Sequence, residues 1–309
     1  MNPFASAGWQ TFTALSADSQ FLQPPVFSGR VEQCFDKAVN LVCPQGLQRF
    51  TLLSAGSDNA PNSCRLALST FAGLLQPGDP VYWQGNWLRI GLRMRIDFRT
   101  CQTWQPEKLC WKSEALSAFC QQHQGETLAT TIYQAIPQNA SLFHYCADNI
   151  FYRQLAKQLT DARGKLTDGL KRRDKSHSEA AFQQLLGLGI GLTPGGDDYL
   201  VGLSAILFIN GNPCGRFQDD FSRWLNKYHQ QTTPLSALTL NQAIHQRYRE
   251  VIYLLIKKLT LESRGDIQRE IQGVMKIGSS SGCDMLYGMA DALLLTQYFG
   301  GEYVNQDRD

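Results

Sequence analysis

Gly187-Leu188-Gly189-Ile190-Gly191-Leu192-Thr193-Pro194-Gly195-Gly196-Asp197-Asp198 decides how the second half of this chain is read. Five of the ten residues from Gly187 to Gly196 are glycine. Neither a helix nor a strand interior tolerates that density, because each glycine there costs roughly 0.5–1 kcal/mol. Thr193-Pro194 then reads as a helix start, with Thr193 as N-cap and Pro194 at the first helical position. Tyr199 to Ile209 is apolar on every side, as in a buried helix, and Asn210-Gly211-Asn212-Pro213 stops it. The unit is a glycine-rich loop feeding a buried helix. Free backbone N–H groups and the positive end of the helix dipole make such a place suit an anion.

The pattern recurs. Gly196-Asp197-Asp198-Tyr199-Leu200-Val201-Gly202 has the form Gly-x-Asp-x-Leu-x-Gly, and so does Gly282-Cys283-Asp284-Met285-Leu286-Tyr287-Gly288. A short loop of small residues precedes each copy, Thr193-Pro194-Gly195 in the first and Ser279-Ser280-Ser281 in the second. An apolar helix follows each; the second runs to about Phe299 and ends at Gly300-Gly301. The closing glycine lies four residues after the aspartate, on the same helix face, where it lets two helices approach closely. The pair reads in two ways. The helices are either a buried couple with aspartate caps and glycine notches, or two N-termini converging on one bound anion, with Asp198 and Asp284 orienting groups or a cation.

Gly189 to Asp198, Thr232 to Ala243, and Ile277-Gly278-Ser279-Ser280-Ser281-Gly282-Cys283-Asp284 together resemble the AllH-like family, subunits of oxamate carbamoyltransferase and its paralogues. The resemblance runs from roughly Ser28 to Phe299 and is loose in the N-terminal half. It implies a carbamoyltransferase subunit that works with an acyl-CoA-synthetase-like subunit and a second unlike subunit. The implied reaction converts oxalurate and phosphate to oxamate and carbamoyl phosphate, or the reverse. Its substrates are small anions. Amides and hydroxyls of Gly189, Gly191, Thr193, Gly195, Gly196, Asp197, Ser279, Ser280, Ser281 and Gly282 would bind them and stabilise an oxyanion. Asp198 and Asp284 are the candidate catalytic groups, fixing those loops or holding Mg²⁺. Two positions depart from the family. Gly196 stands where Ser or His often precedes the aspartate pair, and Ser279 stands where a His usually follows the glycine, so no role of that His carries over. The other reading of function is a non-catalytic assembly subunit or a sensor of small anions.

At 309 residues the chain can bury one large core or two modest ones. Its net charge of +2 favours neither nucleic acid nor membrane as a partner. Nine cysteines without a Cys-x-x-Cys pair read as reduced thiols of a cytoplasmic protein. No apolar run reaches the ~18–20 residues of a membrane span, and Met1 to Gln23 does not read as a signal peptide.

The fold class expected is α+β, a mainly antiparallel, barrel-like β region packed on a helical one. Residues 1–27 read as an N-terminal arm, 28–105 as the β domain, 106–145 as a transition, 146–300 as the helical domain with both glycine-rich motifs, and 301–309 as a polar tail. In the β domain, Phe50 and Leu52, then Val81 and Trp83, fall at period two, and Gln84-Gly85-Asn86 makes a tight connection. Leu88, Ile90, Leu92, Met94, Ile96 and Phe98 alternate without a miss, one long strand with a bend or bulge at Gly91. Its other face carries Arg89, Arg93, Arg95 and Arg99, either a solvated face or a strip for an anion or partner. Pro61 to Leu75 reads as strand then helix. In the helical half, helices are expected from about Ser113 to Gln122, Asp148 to Asp168, Phe217 to Tyr228, Ala237 to Leu259 and Ile267 to Met275. Ser176-His177-Ser178-Glu179 reads as the capping box of a helix ending at Gly187. His245 is the one histidine with a possible path to the glycine-rich loops. No nucleophile elbow or phosphate-binding loop with its Lys-Ser/Thr ending is present.

Overall fold

Gln10–Asp18 carries Phe12, Ala14 and Ala17 inward and forms β1. The computed structural model describes residues 9–23, 28–43, 48–261 and 266–306, and it divides into two compact units, 1–107 and 108–309. In the first, β1 is followed by β2 (Ser28–Cys34), β3 (Ala38–Val42), β4 (Arg49–Leu53), β5 (Ser63–Leu66), β6 (Pro80–Gln84), β7 (Trp87–Ile90), β8 (Met94–Asp97) and β9 (Gln102–Trp104). The strand order is β5-β4-β3-β2-β6-β7-β8-β1, and β5 pairs with β1 to close an eight-stranded barrel. Six pairings are antiparallel; β1–β8, β1–β9 and β4–β5 are parallel, so the barrel is mixed. Strand β9 runs along Ser16–Asp18 where β8 has run along Gln10–Thr13, so the two act as one broken strand beside β1. The expected N-terminal arm is therefore corrected for residues 10–18. With neighbours on both edges this stretch cannot be peripheral, because the barrel closes through it. Residues 1–8 and 24–27 of that arm lie outside the described residues.

The alternating run from Leu88 to Phe98 is not one strand. Gly91 takes φ +58°, a conformation that L side chains avoid, and the chain reverses so that Ile90 faces Met94. The connection, residues 91–93, is odd in length. Met94 and Ile96 therefore keep the inward parity of Leu88 and Ile90, and period two reads straight through the turn. Leu92 sits at the tip, 67% exposed. The inward set, among them Val39, Leu41, Leu52, Val81, Leu88 and Ile96, fills the barrel, as expected of a closed sheet of this size. Phe21, Phe50, Trp83 and Phe98 pack as an aromatic cluster. On the outer face Arg95 and Arg99 stack on Trp87 at 4.2 and 5.1 Å, and Arg99 pairs with Asp97 at 2.6 Å. Pro61 to Leu75 holds β5 and then turns, with no helix.

The second unit holds α1 (Ser113–Gln121), α2 (Gln124–Ala135), α3 (Ile150–Lys171), α4 (Lys175–Leu185), α5 (Gly195–Leu207), α6 (Gln218–Tyr228), α7 (Pro234–Ile244), α8 (Glu250–Leu261), α9 (Gln268–Met275) and α10 (Ser281–Gln306). Together the units make an α+β protein. Helix α5 is buried at every residue, Asp197, Asp198 and Ser204 included, and α10 packs against α5, α2, α1 and α9. The expected transition contains α2 as well as α1. Helix α4 starts one turn-fraction earlier than the Ser176 box, because the Asp174 carboxylate accepts the His177 N–H at 3.0 Å and complements the dipole. The expected helix from Ala237 to Leu259 breaks at 245–249. There Gln246 takes φ +61° and the Arg247 N–H bonds back to Gln242. Helix α10 passes through Gly300-Gly301 into the expected polar tail. Residues 307–309 lie outside the described ones.

Candidate functional site

Each copy of the repeat is a short helix, a loop and a buried helix: α4 to α5, and α9 to α10. A Cβ on Gly196 would overlap the Leu185 carbonyl oxygen at the end of α4, and one on Gly282 would overlap the Val274 carbonyl oxygen in α9. Each opening glycine thus brings its helix start against the helix before it. The closing glycines work between copies. A Cβ on Gly202 would overlap the Met285 carbonyl oxygen, and one on Gly288 the Tyr199 carbonyl oxygen. Tyr199 and Met285 hold the same place in their motifs, so the contact is reciprocal, as in a two-fold related pair. Helices α5 and α10 meet backbone to backbone, and their starts adjoin. Thr193 and Ser281, one from each loop, bond through their hydroxyls at 3.0 Å. Thr193 is thereby taken from the cap expected of it, and Pro194 is the residue before the helix.

The three aspartates of the repeat do different things. Asp197 is completely buried and saturated with donors. Thr232 Oγ1 and Ser236 Oγ, at the start of α7, donate to one oxygen, and the Gly187 N–H donates to the other at 2.8 Å. Burial pushes its carboxyl up, against these bonds. Asp197 ties the glycine-rich loop to α7. Asp284 is also buried. Its Oδ1 accepts from Ser141 Oγ at 2.6 Å and from the Leu142 N–H at 2.9 Å. Its Oδ2 has no partner and lies 3.0 Å from where a Gly195 Cβ would stand, so a side chain there would press on the carboxyl. Asp198, 2% exposed, likewise keeps an unpartnered Oδ2. Burial pushes Asp284 up to about 7, opposed by the Ser141 hydroxyl. Burial also pushes Asp198 well above the ordinary carboxylate range, with the charges of Asp284 and Asp197 adding to the shift and the Ser281 and Thr193 hydroxyls opposing it.

The helix-start amides are mostly used within the unit. The Gly196 N–H bonds to Leu188 O at 2.8 Å and the Gly282 N–H to Ile277 O at 2.9 Å. Asp197 and Asp198 donate to Pro194 O, and Asp284 donates to Ser280 O. Gly189, at φ +142°, carries the loop so close to Pro194 and Gly195 that a side chain would collide with them. At the rim, Gly191, Leu192, Gly278 and Ser279 are exposed, while Ser280 and Ser281 are half-buried. His245 does not join the group. It caps the C-terminus of α7, while Thr232 and Ser236 lie at the other end of a helix about 16 Å long. Among the described residues no group of three or more His, Cys, Asp or Glu could hold a metal ion, so Asp198 and Asp284, read as fixing the loops or holding Mg²⁺, have no third such partner.

A second polar cluster, centred on Asp291 two turns further along α10, escaped the sequence. Arg163 on α3 grips Asp291 on α10 with Nε at 2.6 Å and a terminal nitrogen at 2.7 Å. The hydroxyls of Tyr133 (α2) and Tyr199 (α5) donate to the same carboxylate, each at 2.6 Å. Arg163 also faces the rings of Tyr133 and Tyr287, and Phe143 packs on Tyr199 and Tyr287. The cluster joins α2, α3, α5 and α10 directly behind the aspartate pair.

The helical unit is thus built on two copies of one loop–helix motif meeting over two buried carboxyls, and no solved structure matches the chain. The family model described as oxamate carbamoyltransferase subunit AllH matches residues 185–293, and the model described as the AllH family N-terminal domain matches residues 13–103. The chain belongs to the AllH family, whose name makes it a subunit of a larger complex. Among the described residues no helix is long and apolar enough to cross a membrane.

Proposed function

We propose that this chain is a subunit of a carbamoyl-transferring enzyme acting on small anions of the oxamate and oxalurate type, with phosphate or carbamoyl phosphate as the second substrate. Substrate would sit where the two Gly-x-Asp helix starts adjoin. One observation carries this reading: both copies of the repeat leave a buried carboxylate oxygen without a partner. Leaving such a group unsatisfied costs about 1–3 kcal/mol, which a purely structural cap gives no reason to accept. In the transfer, the oxamate nitrogen attacks the carbamoyl carbon, the C–N bond forms, and phosphate leaves with the electrons of the broken C–O bond. The nitrogen gives up a proton. Asp284, held at about 7 by burial, suits that transfer, because a proton acceptor works best with its pKa near the working pH. The hydroxyls and amides of the rim, Gly191 and Ser279 to Ser281, would meet the anionic groups. An acyl-CoA-synthetase-like subunit and a second unlike subunit would complete the enzyme in the cytoplasm, where free thiols stay reduced.

The test is reconstitution with those partners and assay of carbamoyl phosphate formation from oxalurate. Asp198→Asn and Asp284→Asn should each lower kcat at least a hundredfold, whereas Asp219→Asn, exposed on α6, should not. Full activity in both variants would refute the proposal. The alternative, an assembly or anion-sensing subunit without chemistry of its own, draws on the amides already bonded inside the unit. It predicts that the same variants keep kcat but lose complex formation or effector response.

A further inference from the structure

The aspartate pair offers something different from what a glycine-rich helix start suggests. The amides of Gly196, Asp197, Asp198, Gly282 and Asp284 are bonded to carbonyl oxygens of their own loops or helix starts. Among the buried side-chain atoms of the site, Asp198 Oδ2 and Asp284 Oδ2 have no partner, on residues 2% and 0% exposed. The first residue of α5, Gly195, lies against Asp284 Oδ2 with no side chain between. The floor of the site therefore carries unmet demand at carboxyl oxygens.

We propose that the two unpartnered oxygens, Asp198 Oδ2 and Asp284 Oδ2, take the carboxamide or ureido end of a small ligand, leaving its anionic end to the exposed rim. This rests on the proposed function and specifies which end of its substrate the two aspartates read. A carboxamide presents N–H donors beside a carbonyl acceptor. A pair of acids that shares a proton presents a bare oxygen beside an O–H donor, which is the complement. Burial raises both carboxyls, so the pair holds a proton into the neutral range. A carboxylate or phosphate presents acceptors alone. It would leave one aspartate oxygen unpaired and place like charges together, and buried polar groups reject a ligand that lacks their partner. Both oxygens are closed from solvent, so the ligand enters by parting the two loops, whose side chains meet at the Thr193–Ser281 hydrogen bond.

Oxamate and oxalate separate these possibilities, because they differ only in carrying an amide or a second carboxylate. Titration calorimetry of the full chain, alone and with its partner subunits, would compare oxamate, oxalate and inorganic phosphate at neutral pH. The expected result is that oxamate binds at least tenfold more tightly than oxalate, and that phosphate does not displace it. In Asp284→Asn the preference should shrink to less than threefold, because the asparagine amide can satisfy a carboxylate. Oxalate binding as tightly as oxamate, or phosphate competing with it, would overturn this orientation and leave an anion site in place. Failure of all three to bind, with and without partners, would overturn the substrate site itself. The comparison on the unaltered chain needs no variant to fold.

Discussion

Arg163 and Asp291 form a heavily bonded ion pair in the helical unit, and their removal has a calculable consequence. Asp291 accepts two N–H bonds from the guanidinium and two O–H bonds from tyrosines, so its carboxylate is saturated. Its side chain is 5% exposed, that of Arg163 22%. Breaking a buried pair by removing one partner costs about 3–5 kcal/mol, because the other charge is stranded. Arg163→Met strands the better-buried member and should sit near the top of that range. Asp291→Asn strands an arginine that keeps some access to water and should sit near the bottom. Replacing both, Arg163→Met with Asp291→Leu, removes the stranded charge and should cost about 1–2 kcal/mol, less than either single change. For a unit of this size each kcal/mol lowers the melting temperature by roughly 2–4 °C, so the single variants should melt roughly 6–20 °C below the parent. Circular dichroism at 222 nm, which follows the helices, is the assay. Single variants costing under ~1 kcal/mol, or a double variant whose loss is the sum of the singles, would refute the reasoning.

Gly202→Ala and Gly288→Ala should each destabilise by about 1–3 kcal/mol, since the new methyl overlaps a backbone carbonyl of the opposite helix. Gly164→Ala on α3, with open space around it, should instead stabilise by about 0.5–1 kcal/mol in the same denaturation assay. A Gly288→Ala variant as stable as the parent would contradict the close approach. Asp284 is raised in the folded chain to about 7, so the folded state binds more protons than the unfolded one above pH ~4. Its contribution is full below pH ~4 and is lost as pH rises through 7, a fall on the order of 3–4 kcal/mol. Urea midpoints from pH 4 to 8 should decline more steeply in the parent than in Asp284→Asn; equal slopes would rule the shift out. Gly91→Ala should cost about 1–2 kcal/mol, because an alanine resists φ +58°, and its methyl would press on Asp79 at 3.2 Å. An unchanged urea midpoint in that variant would show that the turn readily adopts another shape.

Much of the fold was legible, and the failures have physical causes. The inward alternation of β4, β6, β7 and β8 stands in the sequence as period two, and α5 as an unbroken apolar run. The hairpin at Gly91 hid because an odd connection preserves parity. Strand β1 hid because its inward positions include Ala14 and Ala17, small residues that fit the closure of the barrel but carry little strand signal. In the site, the repeat itself announced that α5 and α10 are equivalents. It did not distinguish Asp197 from Asp198. That depends on Thr232 and Ser236, more than thirty residues away. Arg163 lies 128 positions from Asp291, and no local pattern connects them. Nor could the sequence show that loop carbonyls at Leu188 and Ile277 use the amides expected for an anion.

The reciprocal notches at Gly202 and Gly288 also govern how the site can vary. Where two helices meet through side chains, a neighbour's change of rotamer adjusts their separation in small steps. Here main chain rests on main chain at two points, Met285 and Tyr199, and bond lengths rather than rotamers gauge the gap. At those two points no side chain lies between the helices, so substitutions elsewhere in the core have little purchase on their separation. The pair of carboxyls has one spacing while the notches are seated. If the proposed site holds, tuning it toward a longer or bulkier ligand would proceed through the loops at 187–193 and 278–280, since the helices behind them act as a fixed ruler.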